Sequence, residues 1–435
     1  MTAFLVTVLL YIPLSVGYML LVSEQRDRRY LGGALIAAWI ALAPLTAAMN
    51  DWMPFAGGGD DEGYFFLGNT PIKSIDDAFD LTKFSDALAQ PGYAWLLSLE
   101  NVISGPDLLT YKLMNLLFLV LLALTWYRIG FLLESRAFGR FAMIGVLLLT
   151  PLWYYVFFLL KDMTIVLLQS LFLLGLMQQW RSNSLRPWLL IGLVTFLLIL
   201  FRVQLVLQNA SIATAALLLR SFMSNDIAGR SFFSLVLGVV VVSMLMLLAM
   251  NADFISTMGL AESRVIGSEA MRQEAARMAP EAGPNPVFFL LIYLFSEVSV
   301  LNLETWNVLD SAWIRGALAL PWIYLVSPFF VWGTLWGLGP YEGAVPNKAM
   351  MARLLDMRIL HSAWGVVFLF SISSAVISWS VGDSTRWRLS GMPVMLMIAM
   401  AGWTFTRARV RQQILMYWVI GLSFLFLAYY VLRFF

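Results

Sequence analysis

The residues best equipped for chemistry are three consecutive carboxylates in Gly57-Gly58-Gly59-Asp60-Asp61-Glu62-Gly63-Tyr64. Glycines on both sides let the backbone bend and keep bulky side chains away from an approaching molecule. An Asp set there is suited to take a proton from a hydroxyl as that oxygen attacks another centre; Asp61 is the first choice, then Asp60, then Glu62. Asp60 and Asp61 also offer the oxygen ligands that Mg²⁺ or Mn²⁺ prefers, so a divalent cation is an open option rather than a requirement. Three sets of cations stand elsewhere in apolar surroundings. Lys161-Asp162 interrupts the stretch from Trp153 to Leu174, and Arg202 sits within another apolar run. Arg386-Trp387-Arg388 comes just before Pro393. Arginines grip phosphate or diphosphate in a bidentate way, which suits the last set to such a group. Each also has a plainer reading: a charged turn for Lys161-Asp162, snorkelling for Arg202, an interfacial anchor for the Arg-Trp-Arg run. Gln204, Gln208 and Asn209 follow Arg202 closely and favour a polar cavity there.

The elements that must position these groups are helices in lipid. Hydrophobic residues make up 60% of the 435 and charged residues only 12%, against about 25% charged in a soluble domain. Apolar runs of roughly 18–20 residues fit helices rather than barrel strands. The chain reads as all-α, a single polytopic transmembrane domain over 1–435 with about twelve spans. They are expected at 3–22, 31–49, 106–127, 141–160, 163–180, 187–201, 204–219, 231–250, 311–337, 363–380, 389–406 and 413–433. A net charge of +2 gives no reason to expect nucleic acid, and the absence of Cys removes thiolate chemistry.

Charge counting orients the spans. The short loops 23–30, 128–140, 181–186, 220–230, 339–362 and 407–412 hold 16 of the 28 Lys and Arg but six of the 26 acids. The positive-inside rule makes them cytoplasmic. The acidic cluster, Lys161-Asp162, Arg202 and the Arg386–Arg388 run then all fall on the outer face. The outer segment 50–105 is too long for a plain connection. Within it, Ile75, Phe79, Leu81, Phe84 and Leu88 mark an expected amphipathic helix in the interface plane. A second outer segment, 251–310, contains an apolar run with Glu297 in its middle, expected to be re-entrant.

A carboxylate and separate cations at an outer membrane surface suit glycosyl transfer from a polyprenyl phosphate or diphosphate to a glycan or lipid acceptor. Asp61-Glu62-Gly63-Tyr64 resembles the D-E-x-Y signature of the GT-C polytopic glycosyltransferases. Residues 91–128 are similar to the segment after that signature, and Thr385-Arg386-Trp387-Arg388 through Pro393 resembles an Arg-rich run before a late helix. The resemblance implies an enzyme of the bacterial plasma membrane acting on its outer face, with Asp61 as base. Tyr64, Lys161, Asp162, Arg202, Arg386 and Arg388 are the expected substrate-binding residues. One departure stands out: the acidic segment follows the second helix rather than the first. That order is similar to some exopolysaccharide or O-antigen repeat-unit polymerases, which use polyprenyl-diphosphate-linked glycans. A lipid-linked oligosaccharide flippase is the reading from a different class, and it predicts charges near mid-membrane and pseudo-symmetric broken helices.

Overall fold

The computed structural model describes residues 2–56, 60–72, 74, 76–77, 80–84, 91–181, 185–202, most of 205–216, 311–336, 363–381, 389, 391–404 and 406–434. Every regular element among them is helical. Six helices are long and apolar enough to cross a membrane: α1 (Ala3–Val22), α2 (Gln25–Trp52), α5 (Leu108–Leu133), α8 (Asp162–Gln179), α9 (Leu185–Arg202) and α10 (Ile314–Thr334). Between α2 and α5 lie the shorter α3 (Asp60–Gly68) and α4 (Pro91–Ser104). Then α6 (Arg136–Leu147) and α7 (Thr150–Phe157) follow α5. The chain closes with α11 (Ala363–Val381), α12 (Met392–Thr404) and α13 (Ala408–Phe434). The described residues thus support a polytopic membrane protein, with six spans, or seven if the bent α6–α7 pair counts as one. The expected span at 231–250 and the segment 251–310 lie outside the described residues.

Two sequence expectations need revision. The run 141–160, expected as one span, is bent by 49° between α6 and α7. Pro151 explains the break, because it cannot donate to the carbonyl one turn back, that of Leu147. The Trp153 indole N–H takes that carbonyl instead at 2.8 Å. Of the expected amphipathic helix at 74–88, Asp76 and Asp77 are helical, Asp80 is not, and Leu81–Phe84 form a single 3₁₀ turn, while Ile75, Phe79 and Leu88 lie outside the described residues. The regular helices in the outer segment are α3 and α4, and Pro91 begins α4, where its missing N–H costs nothing.

Helix α5 is the axis of the bundle, buried over most of its length and packed by α1, α2, α6, α7 and α8. Gly130 on α5 and Gly139 on α6 let these two helices touch backbone to backbone, since a Cβ on Gly139 meets the Tyr127 carbonyl oxygen at 2.6 Å. Peripheral helices expose large apolar side chains, including Phe4, Leu9, Leu21, Ile40, Leu189 and Phe424. In water such a surface is costly; against lipid tails it is not.

The bundle has two chemically distinct ends. At one, Asp27 is fully buried and accepts hydrogen bonds from Tyr127 Oη (2.5 Å) and Arg140 Nε (3.0 Å). Arg128 pairs with Glu24 at 3.3 Å, and Trp364 Nε1 donates to Glu134 at 2.8 Å. These contacts tie the basic loops predicted to be cytoplasmic into one layer. The other end carries Asp60–Glu62, the α7–α8 junction and the last turn of α9. Lys112 and Arg128, on opposite ends of α5, are separated by 16 residues, about 24 Å of helix.

At the acidic end Glu100, on α4, is 6% exposed, and its Oε1 has no hydrogen-bond partner among the described residues. Burial raises its pKa above the ordinary 4.5, against the opposing hydrogen bonds of Tyr11 and Ser104. A carboxyl that holds its proton more tightly when folded makes the fold less stable as pH rises through its folded pKa. Glu100→Gln is therefore expected to stabilise the protein at pH 7–8 by on the order of 1 kcal/mol, the cost of a desolvated charge. The gain should shrink towards pH 4, where both versions are neutral; thermal unfolding in detergent across that range measures it.

Candidate active site

The acidic residues form the first turn of a helix, not an open loop. Carboxylates there are favoured by the positive end of the helix dipole, and the helical twist sends neighbours in different directions. Asp61 is 1% exposed and faces the bundle, while Asp60 and Glu62 face outward. Asp61 accepts from the backbone N–H of Ala56 and from that of Glu62 (3.1 Å). Its carboxylate also lies within electrostatic reach of the Lys112 ammonium. Lys112 has no exposed surface; its Nζ donates to the Pro54 carbonyl at 2.6 Å and stands 5.8 Å from the centre of the Phe158 ring. The turn between α2 and α3 therefore clasps the acid with one amide and the cation with one carbonyl.

Tyr64, one turn beyond Asp61 on α3, links this pair to the second cation. The Lys161 ammonium lies 5.7 Å from the centre of the Tyr64 ring, and Tyr64 meets Tyr93 edge to face at 5.1 Å. The Tyr93 hydroxyl donates to Asn115 Oδ1 at 3.0 Å. Asn115 in turn donates towards the carbonyls of Tyr155 (3.0 Å), Phe158 (3.4 Å) and Leu160 (3.3 Å). These are the carbonyls left over where α7 stops and α8 has not begun. Irregular backbone at membrane depth persists only where protein satisfies it, and Asn115 is the residue that does so. That staple sets the position of Lys161.

The third element is an ion pair. Asp162, the first residue of α8, lies 3.5 Å from the guanidinium of Arg202, the last residue of α9. Their side chains are 3% and 9% exposed. Arg202 is therefore held inward rather than snorkelling, and Lys161 and Asp162 do stand at the charged turn joining α7 to α8, where they are buried. Gly92 allows the N-terminus of α4 to sit directly on the last turn of α9, since a Cβ there meets the Leu200 carbonyl oxygen at 2.7 Å. That close approach brings Tyr93 beside the Asp162–Arg202 pair, whose carboxylate acts on the tyrosine electrostatically.

Of the residues singled out from sequence, the structure brings Asp61, Tyr64, Lys161, Asp162 and Arg202 into one buried network. Asp60 and Glu62 flank it on the outward side. Arg386 and Arg388 lie outside the described residues, as do Gln204 and Glu297. Both Asp61 oxygens already accept a backbone N–H, and among the described residues no group of three His, Cys, Asp or Glu side chains is placed to hold a metal ion. Lys112, Tyr93 and Asn115 were not anticipated. Lys112 had a signal: it is an ionisable residue inside an apolar run, the same ground on which Arg202 was chosen.

No family model matches this chain, and no curated protein or solved structure matches it either.

Proposed function

We propose that this chain is a membrane glycosyltransferase acting on a polyprenyl-phosphate- or diphosphate-linked sugar at the outer face of the membrane. The supporting observation is the buried gathering of two carboxylates, Asp61 and the Arg202-paired Asp162, with three cations, Lys112, Lys161 and Arg202, at the acidic end of the bundle. In the proposed reaction Asp61 accepts the proton of an acceptor hydroxyl as its oxygen bonds to the anomeric carbon of the donor sugar. The bond from that carbon to the phosphate oxygen breaks, and the electron pair leaves with the phosphate. Lys161 and Arg202 stabilise that growing charge, an effect strengthened in a site from which water is excluded. Arg386 and Arg388 complete the phosphate site in this reading, and Tyr64 contacts the donor next to Lys161. By the positive-inside rule this end faces outward, and the GT-C resemblance implies a bacterial plasma membrane.

A polymerase of repeat units is the second reading, favoured by the two long helices, α1 and α2, that precede the acidic segment. Purified protein incubated with lipid-linked mono- and oligosaccharide donors separates the two: a single added unit supports the transferase, a ladder of products the polymerase. Failure to consume any polyprenyl-linked donor, by folded protein in lipid, overturns both.

A further inference from the structure

A second polar feature lies deeper in the bundle than the ion pair. Gln169, on α8, is fully buried, and neither its amide oxygen nor its nitrogen has a hydrogen-bond partner among the described residues. Asn209 is 1% exposed and equally unpartnered at both atoms, and Gln208 Oε1 and Thr164 Oγ1 are unpartnered as well. Native interiors rarely leave buried polar atoms unmatched, and exceptions call for a reason.

Their depths agree. Gln169 follows Asp162 by seven residues, two helical turns, so it shares that face about 10 Å further into the membrane. Gln208 follows Arg202 by six residues, and its Nε2 donates to Ser374 Oγ at 3.1 Å. Ser374 lies ten residues, about 15 Å of helix, from Trp364, which is fixed to Glu134 at the basic end. Gln208 therefore turns back into the bundle from Arg202 rather than continuing outward. Helix α11, which carries Ser374, also packs on α8, which carries Gln169. Gln208 and Ser374 are in contact, and helix rise puts Gln169 and Asn209 at a similar mid-depth, a polar layer beneath the site described above.

We infer that this layer binds a neutral, hydroxyl-rich group, a glycosyl residue, while the cations above it hold a phosphate. Carboxamides offer a donor and an acceptor side by side, and a sugar hydroxyl is both. An anion only accepts, so it matches the amide N–H groups but leaves the unpartnered oxygens unmatched, where a hydroxyl serves both. The inference rests on the proposed glycosyl-transfer reading and adds to it where the sugar goes.

The test compares two probes on the purified full chain in lipid nanodiscs: farnesyl diphosphate, and farnesyl diphosphate carrying glucose, galactose or N-acetylglucosamine. At least one glycosylated probe is expected to bind about tenfold or more tighter than the bare one, the return on one or two net hydrogen bonds. Gln169→Met and Asn209→Leu, made separately in case one fails to fold, should erase that advantage and leave the bare probe's affinity unchanged. Equal affinity of bare and glycosylated probes overturns the inference. So does a variant that melts higher than wild type yet keeps the sugar advantage, since the layer then holds only water. Competition by free methyl hexosides tests the sugar layer apart from the phosphate site. If methyl hexosides bind and farnesyl diphosphate does not, the layer stands and the phosphate site proposed above falls.

Discussion

Asp61→Asn is expected to lower glycosyl transfer by about 10²–10⁴-fold, the usual contribution of a positioned general base. Asp60→Asn and Glu62→Gln are expected to cost less than about tenfold, because they lose only charge near the site. The difference comes from one helical twist. All three acids lie in the first turn of α3, but only Asp61 faces the buried cations. Asn is nearly the size of Asp and its oxygen still accepts from the Ala56 or Glu62 amide, so the turn between α2 and α3 keeps part of its anchor. The amide removes the basic oxygen and the charge opposite Lys112. A merely structural Asp61 gives a different pattern. Its loss then lowers the melting temperature, and any activity that survives keeps the wild-type pH profile. A base gives a folded variant that still binds the donor but transfers it slowly. Equal losses from Asp60→Asn and Asp61→Asn sink the assignment of the base to Asp61.

Charge and hydropathy made much of this arrangement legible. The apolar runs placed most described helices within a few residues of where they lie. The basic-loop count separated the two ends that the structure keeps apart, with Asp27, Arg128 and Arg140 at one and Asp61, Lys161 and Arg202 at the other. Partnerships were not legible, because they depend on which helix ends meet. Nothing in the spacing of Asp162 and Arg202 announces a pair; it follows from the hairpin of α8 and α9, which returns the chain to the end it left. Asn115 is similar. A polar residue in an apolar helix has many uses, and this one became readable only once α7 stopped short and left carbonyls facing it. The amphipathic helix expected at 74–88 came from a patchy stripe, and short stripes specify helices poorly without tertiary support.

The largest expected effect on stability comes from the same pair. Arg202→Met leaves Asp162 as a buried carboxylate without its guanidinium, and breaking a buried pair from one side costs about 3–5 kcal/mol. A membrane protein of ordinary margin then unfolds well below its normal melting temperature. Asp162→Asn added to Arg202→Met removes the stranded charge, and the double variant is expected to recover most of the lost stability. Activity should behave differently. If Arg202 only holds α8 against α9, restoring stability restores transfer. If its charge also receives the leaving phosphate, the double variant folds but stays impaired, with weaker binding of bare prenyl diphosphate. Arg202→Lys completes the set: it keeps the charge but loses the planar fork, so it should retain stability better than Met and hold the phosphate less well than Arg. Recovery of full activity in the stable double variant means that the cation contributes architecture alone. Lys112 and Lys161, with Arg386 and Arg388, then carry the phosphate.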